Sequence, residues 1–287
     1  MQIIDGKKIA AEVRAELKIT IAQLTARGIA PGLATILVGD DPASHVYVSS
    51  KIKACGELGI RSFHYHLSAI ATEEEIVHLI EQLNADPRVT GILLQLPLPN
   101  RISPDRAIEC ISPEKDVDGL HPRNMGLLCA AKNWDEIETK KLLVSCTPAG
   151  VITLLKKYDI PIAGKHAVVV GRSNLMGKPV SLMLLANNAT VTIAHSATKS
   201  LAAVCREADI LVAAIGKPRF ITKDFIKPGA AVLDVGINRT SGGICGDVDF
   251  DGVKEAAGWL TPVPGGVGAM TITMLMRNTI MASQLSL

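Results

Sequence analysis

The chain has 287 residues, enough for two domains or one large one. With 48% apolar residues it has ample material for a core, and a net charge of +2 with scattered basic residues gives no sign of a nucleic-acid partner. No window approaches the roughly 18 apolar residues of a membrane span. The start, Met1-Gln2-Ile3-Ile4-Asp5-Gly6-Lys7, lacks the layout of a signal peptide, which makes the cytoplasm the expected compartment. Cys55, Cys110, Cys129, Cys146, Cys205 and Cys245 are widely spaced, without C-x-x-C or a histidine at zinc spacing. Reduced, mostly buried thiols are expected, and no metal site.

Asp5 is placed to cap a helix in which Ile9, Val13, Leu17, Ile21 and Leu24 recur at helical spacing, ending at Gly28. Leu33 to Val38 is an apolar strand, closed by Gly39-Asp40-Asp41-Pro42. A second helix is expected from about Ser44 to Leu58, with Gly59 as its stop. On it Tyr47 and Lys51 share a face, while Val46, Ile52, Cys55 and Leu58 carry more of the core stripe. Spacing alone favours a solvated tyrosine and lysine. Residues 62 to 67 alternate, with Phe63, Tyr65 and Leu67 on one side and Ser62, His64 and His66 on the other. The two histidines suit a polar strand face better than a metal pair, because no third ligand sits nearby.

Thr72-Glu73-Glu74-Glu75 is a capping box ahead of Ile76, Leu79, Ile80 and Leu83, and Asp86-Pro87 ends that helix. Gln95 lies in the apolar run Gly91 to Pro99, where it must find partners or cost about 1–3 kcal/mol. Pro97 and Pro99 force the strand to end or reach a sheet edge, and open α/β sheets bind ligands at C-terminal strand ends. Gln95 is therefore a site candidate, with a hydrogen-bonded core glutamine the equal alternative. Ser103-Pro104 opens another helix. The run Ser112 to Pro122 packs Glu114, Asp116 and Asp118 into a turn, where they repel unless one has a partner.

Thr147-Pro148 opens a helix backed by Val151, Ile152, Leu154 and Leu155, expected to link the domains. A buried strand from about Ala167 to Val170 then runs through Gly171-Arg172-Ser173-Asn174-Leu175-Met176-Gly177 into a helix over Pro179 to Asn187. Strand, tight turn and helix in that order present a helix N-terminus to a phosphate. The glycines are spaced G-x5-G, not G-x-G-x-x-G, so the turn alone is a moderate signal. After the next strand, Ala189 to Ala194, dinucleotide folds place the acid that selects NAD. Here no Asp or Glu occurs from Gly171 until Glu207. Arg172 in the turn, with Ser196, Thr198 and Lys199 after the second strand, suits a 2′-phosphate, so NADP is expected over NAD. Asp209 to Gly216 and Ala231 to Ile237 are further buried strands, whose glycines (Gly216, Gly236) let a ligand approach the backbone. A hairpin-like excursion through Gly242-Gly243 and Gly246-Asp247 follows. The Pro- and Gly-rich stretch Thr261 to Thr271 reads as a loop shaped for a flat ligand, leading into a final apolar helix.

Together, Tyr47-Val48-Ser49-Ser50-Lys51, Gly91 to Pro99, Pro113 to Gly119, Val168 to Gly177 and Thr261 to Thr271 resemble the bifunctional methylenetetrahydrofolate dehydrogenase/methenyltetrahydrofolate cyclohydrolase family over essentially the whole chain. The resemblance implies a two-domain α/β fold: an N-terminal α/β substrate domain and a doubly wound Rossmann-type nucleotide domain, with a cleft between them. The folate-binding catalytic domain would span 1–142 plus a returning C-terminal helix, 270–287, and the NADP-binding domain 143–269. It implies that Lys51 is the catalytic residue of the cyclohydrolase step and that Tyr47 stacks on the aminobenzoate ring. Gln95 would lie beside that lysine, Leu96 and Pro97 of the same motif against the substrate, and Asp118 on the pterin edge. The run Pro262 to Gly266 would border the folate through Pro264, Gly265 and Gly266. Gly171, Arg172, Ser173, Gly177, Ser196, Ile215, Gly216 and Ile237 would contact the nucleotide. Ala269 stands where the family commonly has proline, leaving the loop slightly more flexible. The resemblance further implies a homodimer acting on tetrahydrofolate derivatives in one-carbon metabolism and purine synthesis. Another NADP-dependent two-domain dehydrogenase, of shikimate or amino-acid type, or a non-catalytic nucleotide-binding module would explain the nucleotide half. Neither explains Tyr47, Lys51, Gln95 and Asp118 together.

Overall fold

Two parallel sheets organise the chain, which the computed structural model describes over residues 1–285. The chain starts with β1 (Gln2–Ile3) and α1 (Gly6–Ala26), and Asp5 caps the helix by accepting from the Lys8 amide at 3.0 Å. β2 (Gly32–Val38) is buried along its whole length. α2 (Pro42–Leu58) begins two residues earlier than expected because Asp41 is its cap, accepting from the Ser44 amide at 2.8 Å. It ends at Gly59, whose φ of 80° suits glycine. β3 (Arg61–Leu67) leads to α3 (Glu73–Ala85), where the capping box forms in both directions between Thr72 and Glu75. β4 (Gly91–Leu94) is followed by the short helices α4 (Pro104–Glu109), α5 (Pro122–Ala130) and α6 (Trp134–Thr139).

Next come α7 (Cys146–Lys157), β5 (His166–Val170), α8 (Gly177–Ala186), β6 (Thr190–Ala194), α9 (Leu201–Cys205), β7 (Ile210–Ala213) and β8 (Ala231–Asp234). A hairpin of β9 (Asn238–Thr240) and β10 (Gly243–Cys245), then α10 (Phe250–Val253) and β11 (Trp259–Leu260), lead to α11 (Val267–Leu285). Residues 286 and 287, the end of the expected returning helix, lie outside the described residues. None of the helices is long and apolar enough to cross a membrane, among the described residues. All six cysteines are free: Cys55, Cys146 and Cys205 are buried, while Cys129 is exposed.

The chain separates into two units, each with its own sheet, so the two-domain α/β expectation is met. One unit comprises Val13–Leu127, Lys141–Cys146 and the segment from Ile272 onward, around the sheet β3-β2-β4. The other comprises Met1–Glu12, Leu128–Lys140 and Thr147–Thr271, around the sheet β1-β11-β8-β7-β5-β6. Two contacts show what holds the outlying segments of this unit to its sheet. β1 pairs in parallel with Trp259 and Leu260, and the Trp134 ring lies 4.2 Å beneath the Lys156 ammonium.

In the three-stranded sheet all pairings are parallel, and Ile36, Ile76, Ile80 and Ile92 are fully buried in its core. Each such isoleucine contributes roughly 1.5–3 kcal/mol of burial. β2 lies between β3 and β4, so the chain crosses from one side of β2 to the other. In the six-stranded sheet the same reversal occurs at β5, flanked by β6 and β7. At such switch points adjacent loops part and leave a crevice at the C-terminal strand ends. The registers Val170↔Ala194, Val170↔Ala213 and Ala213↔Asp234 bring four strand ends to one edge.

Candidate active site

Lys51 is only 9% exposed, against the solvated lysine that its spacing favoured. Val46 and Ile52, expected in the core stripe, are instead 62% and 37% exposed. The buried face of α2 runs through Ser44, Val48, Lys51, Cys55 and Leu58, so the lysine occupies a position where an apolar residue would be expected. One turn before it, Tyr47 is 39% exposed.

The buried ammonium has a partner. Lys51 Nζ donates to Gln95 Oε1 at 2.7 Å, and Gln95 Nε2 donates to the Leu96 carbonyl. The Gln95 amide donates to the Ile36 carbonyl at 2.9 Å, extending the ladder one residue past β4. Gln95 is thus both a hydrogen-bonded buried glutamine and the neighbour of Lys51. The Leu96–Pro97 peptide that follows is cis, and Pro97 is exposed. Burial pulls the Lys51 ammonium below the ordinary lysine range; the nearby Asp118 and Cys146 oppose that shift. Burial also pushes the Asp118 carboxyl up, offset by the charge of Lys51, and pushes the Cys146 thiol well up.

Asp118 is partly accessible and sits on a turn built to hold it. Asp116, buried, accepts from the His121 amide at 2.8 Å and from Asn124 Nδ2 at 2.9 Å. Those bonds are what let three acids share the turn. A bridge between Ile92 and Asp116 lays the turn beside β4. Gly119 has φ of 68°, and a Cβ there would strike the Val144 backbone. From α11, Asn278 Nδ2 donates to the carbonyls of Val117 at 2.9 Å and Val144 at 2.8 Å. Sequence reasoning missed Cys146 and Asn278, which carry no local signal.

In the six-stranded unit, Gly171 has φ of 139°, and a Cβ on it would meet the Ala214 carbonyl. Gly177 is equally crowded by Gly171, so the turn into α8 is tight, with Arg172 and Ser173 exposed on it. Ser196 and Lys199 are exposed after β6, whereas the Thr198 hydroxyl is engaged by the His195 amide at 2.9 Å. An open glycine turn at a helix N-terminus, with cations and no acid from Gly171 to Glu207, fits a phosphate-bearing dinucleotide. Ile215, Gly216 and Ile237 follow the neighbouring strands, Ile237 being 47% exposed. In the proline–glycine loop, the Val263–Pro264 peptide is cis and Gly265 has φ of 111°. The Gly265 carbonyl accepts from the Lys7 amide at 3.1 Å, and Gly266 packs against Gly6.

Two buried carboxylates hold these strand-end loops. Asp247 Oδ2 accepts from the amides of Ile215 at 2.6 Å and Gly216 at 2.9 Å. Its Oδ1 accepts from the Lys217 amide at 2.9 Å and Asn238 Nδ2 at 2.8 Å. Asp234 accepts from the amides of Gly236, Asp247 and Val248, each at 2.9 Å. Burial pushes the Asp234 carboxyl up from an ordinary 3.8 to about 6, and the charge of Asp247 adds to the shift. A raised carboxyl means that the folded state holds the proton more tightly than the unfolded chain. The contribution of Asp234 to stability should therefore fall as pH rises from about 4 to about 6, then level off. A carbon-13 titration of its carboxyl checks this; a midpoint near the ordinary aspartate value would refute it.

Family comparison matches residues 4–118 to the tetrahydrofolate dehydrogenase/cyclohydrolase catalytic domain and residues 145–287 to the NAD(P)-binding domain of the same family. The bifunctional protein FolD of Geobacillus thermodenitrificans is 56% identical over 284 residues, covering 99% of this chain and 97% of that protein. The crystal structure of the Campylobacter jejuni bifunctional enzyme FolD, a methylenetetrahydrofolate dehydrogenase/cyclohydrolase, superposes with a TM-score of 0.95 at 46% identity, covering 100% of each chain. A Trypanosoma brucei methylenetetrahydrofolate dehydrogenase–cyclohydrolase complexed with NADP and an inhibitor is similar at TM-score 0.91 and 38% identity, covering 99% of this chain and 97% of that one.

Proposed function

The chain belongs to the tetrahydrofolate dehydrogenase/cyclohydrolase family, and from that premise we infer a two-step enzyme of one-carbon metabolism. It oxidises 5,10-methylenetetrahydrofolate to 5,10-methenyltetrahydrofolate with NADP, then hydrolyses the methenyl group to give 10-formyltetrahydrofolate. The observation that carries our assignment of residues is the buried Lys51 amine, 2.7 Å from Gln95 Oε1 and close to Asp118.

In the oxidation, a nitrogen lone pair beside the methylene carbon expels hydride, leaving a cation delocalised over N–C–N. When bound, NADP supplies the hydride acceptor. No general base is needed, so the protein contributes binding and alignment. We assign the phosphates to Gly171, Arg172, Ser173 and Gly177, the 2′-phosphate side to Ser196, and the remaining nucleotide contacts to Ile215, Gly216 and Ile237. On the folate we assign stacking to Tyr47, the pterin edge to Asp118, and bordering contacts to Leu96, Pro97, Pro264, Gly265 and Gly266.

Hydrolysis requires proton transfers. Burial gives Lys51 a larger neutral fraction than a free lysine has, and the neutral amine can take a proton from the water adding to the methenyl carbon. The same group then returns a proton to the departing ring nitrogen. Gln95 fixes the amine without bringing a negative charge that would raise its pKa.

An absorbance assay with methylenetetrahydrofolate and either NADP or NAD tests both steps at once. Reduced cofactor with NADP and little lasting methenyl product is the expected result. Reduced cofactor with persistent methenyl product would remove the role given to Lys51, and no reduction would leave only a nucleotide-binding module. We also propose a homodimer joined along the edge strand β6, where Ile193 is 43% exposed and Leu185 of α8 is 58% exposed. Light scattering should give twice the chain mass, and a monomer would refute the pairing. The free cysteines suit a reducing compartment, so we place the enzyme in the cytoplasm.

A further inference from the structure

A second cluster of ligand-bearing side chains gathers at the C-terminal edge of the three-stranded sheet, and neither reaction above uses it. β2 runs out into the Gly39–Asp40 turn, β3 presents His66 opposite Leu37, and the first turns of α2 carry His45. His66 Nε2 lies 3.2 Å from Asp40 Oδ1, and His45 Nε2 lies 3.7 Å from the same oxygen. One ligand atom from each of the three residues falls within 4.8 Å of the other two. The imidazoles stand edge to face, 89° apart with centroids at 5.2 Å, so both Nε2 atoms approach one carboxylate oxygen.

A tetrahedral centre with bonds of about 2.0–2.1 Å has ligand-to-ligand edges of about 3.3–3.4 Å. The His66–Asp40 edge meets that requirement as it stands, the His45–Asp40 edge needs a shift of a few tenths of an ångström, and the His45–His66 edge, within 4.8 Å, closes by rotation of the two imidazoles. The side chains can make such a shift, since those of His45, His66 and Asp40 are 43%, 40% and 75% exposed. We propose that Asp40, His45 and His66 form a binding site for a divalent transition cation of the zinc class, its remaining coordination open to water. Two imidazoles and one carboxylate favour such a cation over magnesium or calcium, which prefer all-oxygen sets. His66 meets Asp40 from the turn after β2 and His45 from the next helix, whereas His64, the other histidine on its strand face, lies outside the cluster.

Affinity is limited by what the cation displaces. Without it, His66 Nε2 lies 3.0 Å from the Gly39 carbonyl, a bond that requires the proton on Nε2. Ligation needs that lone pair, so the proton moves to Nδ1 and the Gly39 bond is given up. Three exposed ligands and a lost hydrogen bond point to a dissociation constant on the order of micromolar, far weaker than a closed four-ligand site. When filled, the site ties the β2 turn and the end of β3 to the start of the helix that carries Tyr47 and Lys51.

Cobalt(II) titration of the full chain tests this, in a Cys129→Ser background that removes the exposed competing thiol. The expected result is one equivalent bound, with visible bands of a low-coordinate nitrogen–oxygen site and no near-ultraviolet sulfur-to-metal band. His45→Asn, His66→Gln and Asp40→Asn should each weaken binding by about tenfold or more, with unchanged circular dichroism. Binding that survives in the His45→Asn/His66→Gln double variant, a sulfur-to-metal band, or no binding at about 1 mM cobalt would each overturn the site.

Discussion

Lys51→Met is expected to slow hydrolysis of the methenyl group by about 10²–10⁴-fold, the range for a positioned acid–base group. Hydride transfer should fall far less, because it requires no proton transfer from this side chain. Methionine fills the same stripe between Val48 and Cys55, so α2 should keep its packing. Gln95 Oε1 loses its 2.7 Å partner, and an unsatisfied buried acceptor costs roughly 1–3 kcal/mol. That destabilises the folate unit locally without removing the nucleotide turn. The pH dependence supplies a second readout. Burial lowers the Lys51 pKa, so the parent's hydrolysis rate should rise with pH as the amine loses its proton, and the variant should lack that limb. Following both absorbance changes in one cuvette separates the steps. Equal loss of both activities together with folate binding would make Lys51 a structural residue.

Asp247→Asn should be the most damaging single change in the six-stranded unit. The carboxylate is fully buried, and each of its oxygens accepts two N–H bonds. An asparagine of the same shape must turn its NH₂ towards one of those donor pairs, whichever way the amide lies. With unsatisfied buried donors costing roughly 1–3 kcal/mol each, a loss of about 2–4 kcal/mol is expected in chemical denaturation. The Ile215–Gly216 and Gly236–Ile237 loops should loosen with it, weakening NADP by about tenfold or more, which is about 1.4 kcal/mol or more. Hydrolysis of added methenyl substrate should survive at temperatures where the chain stays folded. Asp234 would also lose a neighbouring charge, so its carboxyl should fall back from about 6. Unchanged melting and NADP binding would show that these loops hold their shape without Asp247.

The parts of the chain that were legible in its sequence are those where one element carries its own periodicity. The strand and turn from Val168 to Gly177 and the capping box at Thr72 formed as read. Lys51 was misjudged because hydropathy ranks Val46 and Ile52 above it. The alternating four- and three-residue spacing of Ser44, Val48, Lys51, Cys55 and Leu58 would have exposed the buried face. Asp247 read only as the residue after a hairpin glycine, because its partners Ile215, Gly216 and Lys217 lie about thirty positions away. A two-residue strand such as β1 has no period to read, so its pairing with β11 leaves no local signal. The company of His66 was hidden for a related reason: parallel register with β2, not sequence distance, brings it beside Asp40 and His45.

Asn278 reaches carbonyls as far as 161 residues back, β1 pairs with Trp259 and Leu260, and the Ile4 amide just after it donates to the Leu260 carbonyl at 2.9 Å. On the ribosome, each unit therefore waits for a late partner. The emerging chain carries Val117 and Val144 without their closing amide, and β1 without its neighbour, until most of translation is over. A ribosome stalled shortly before residue 260 would hold both open to chaperones and proteases at once. The pace of elongation through that last stretch should govern how much nascent chain survives to become enzyme.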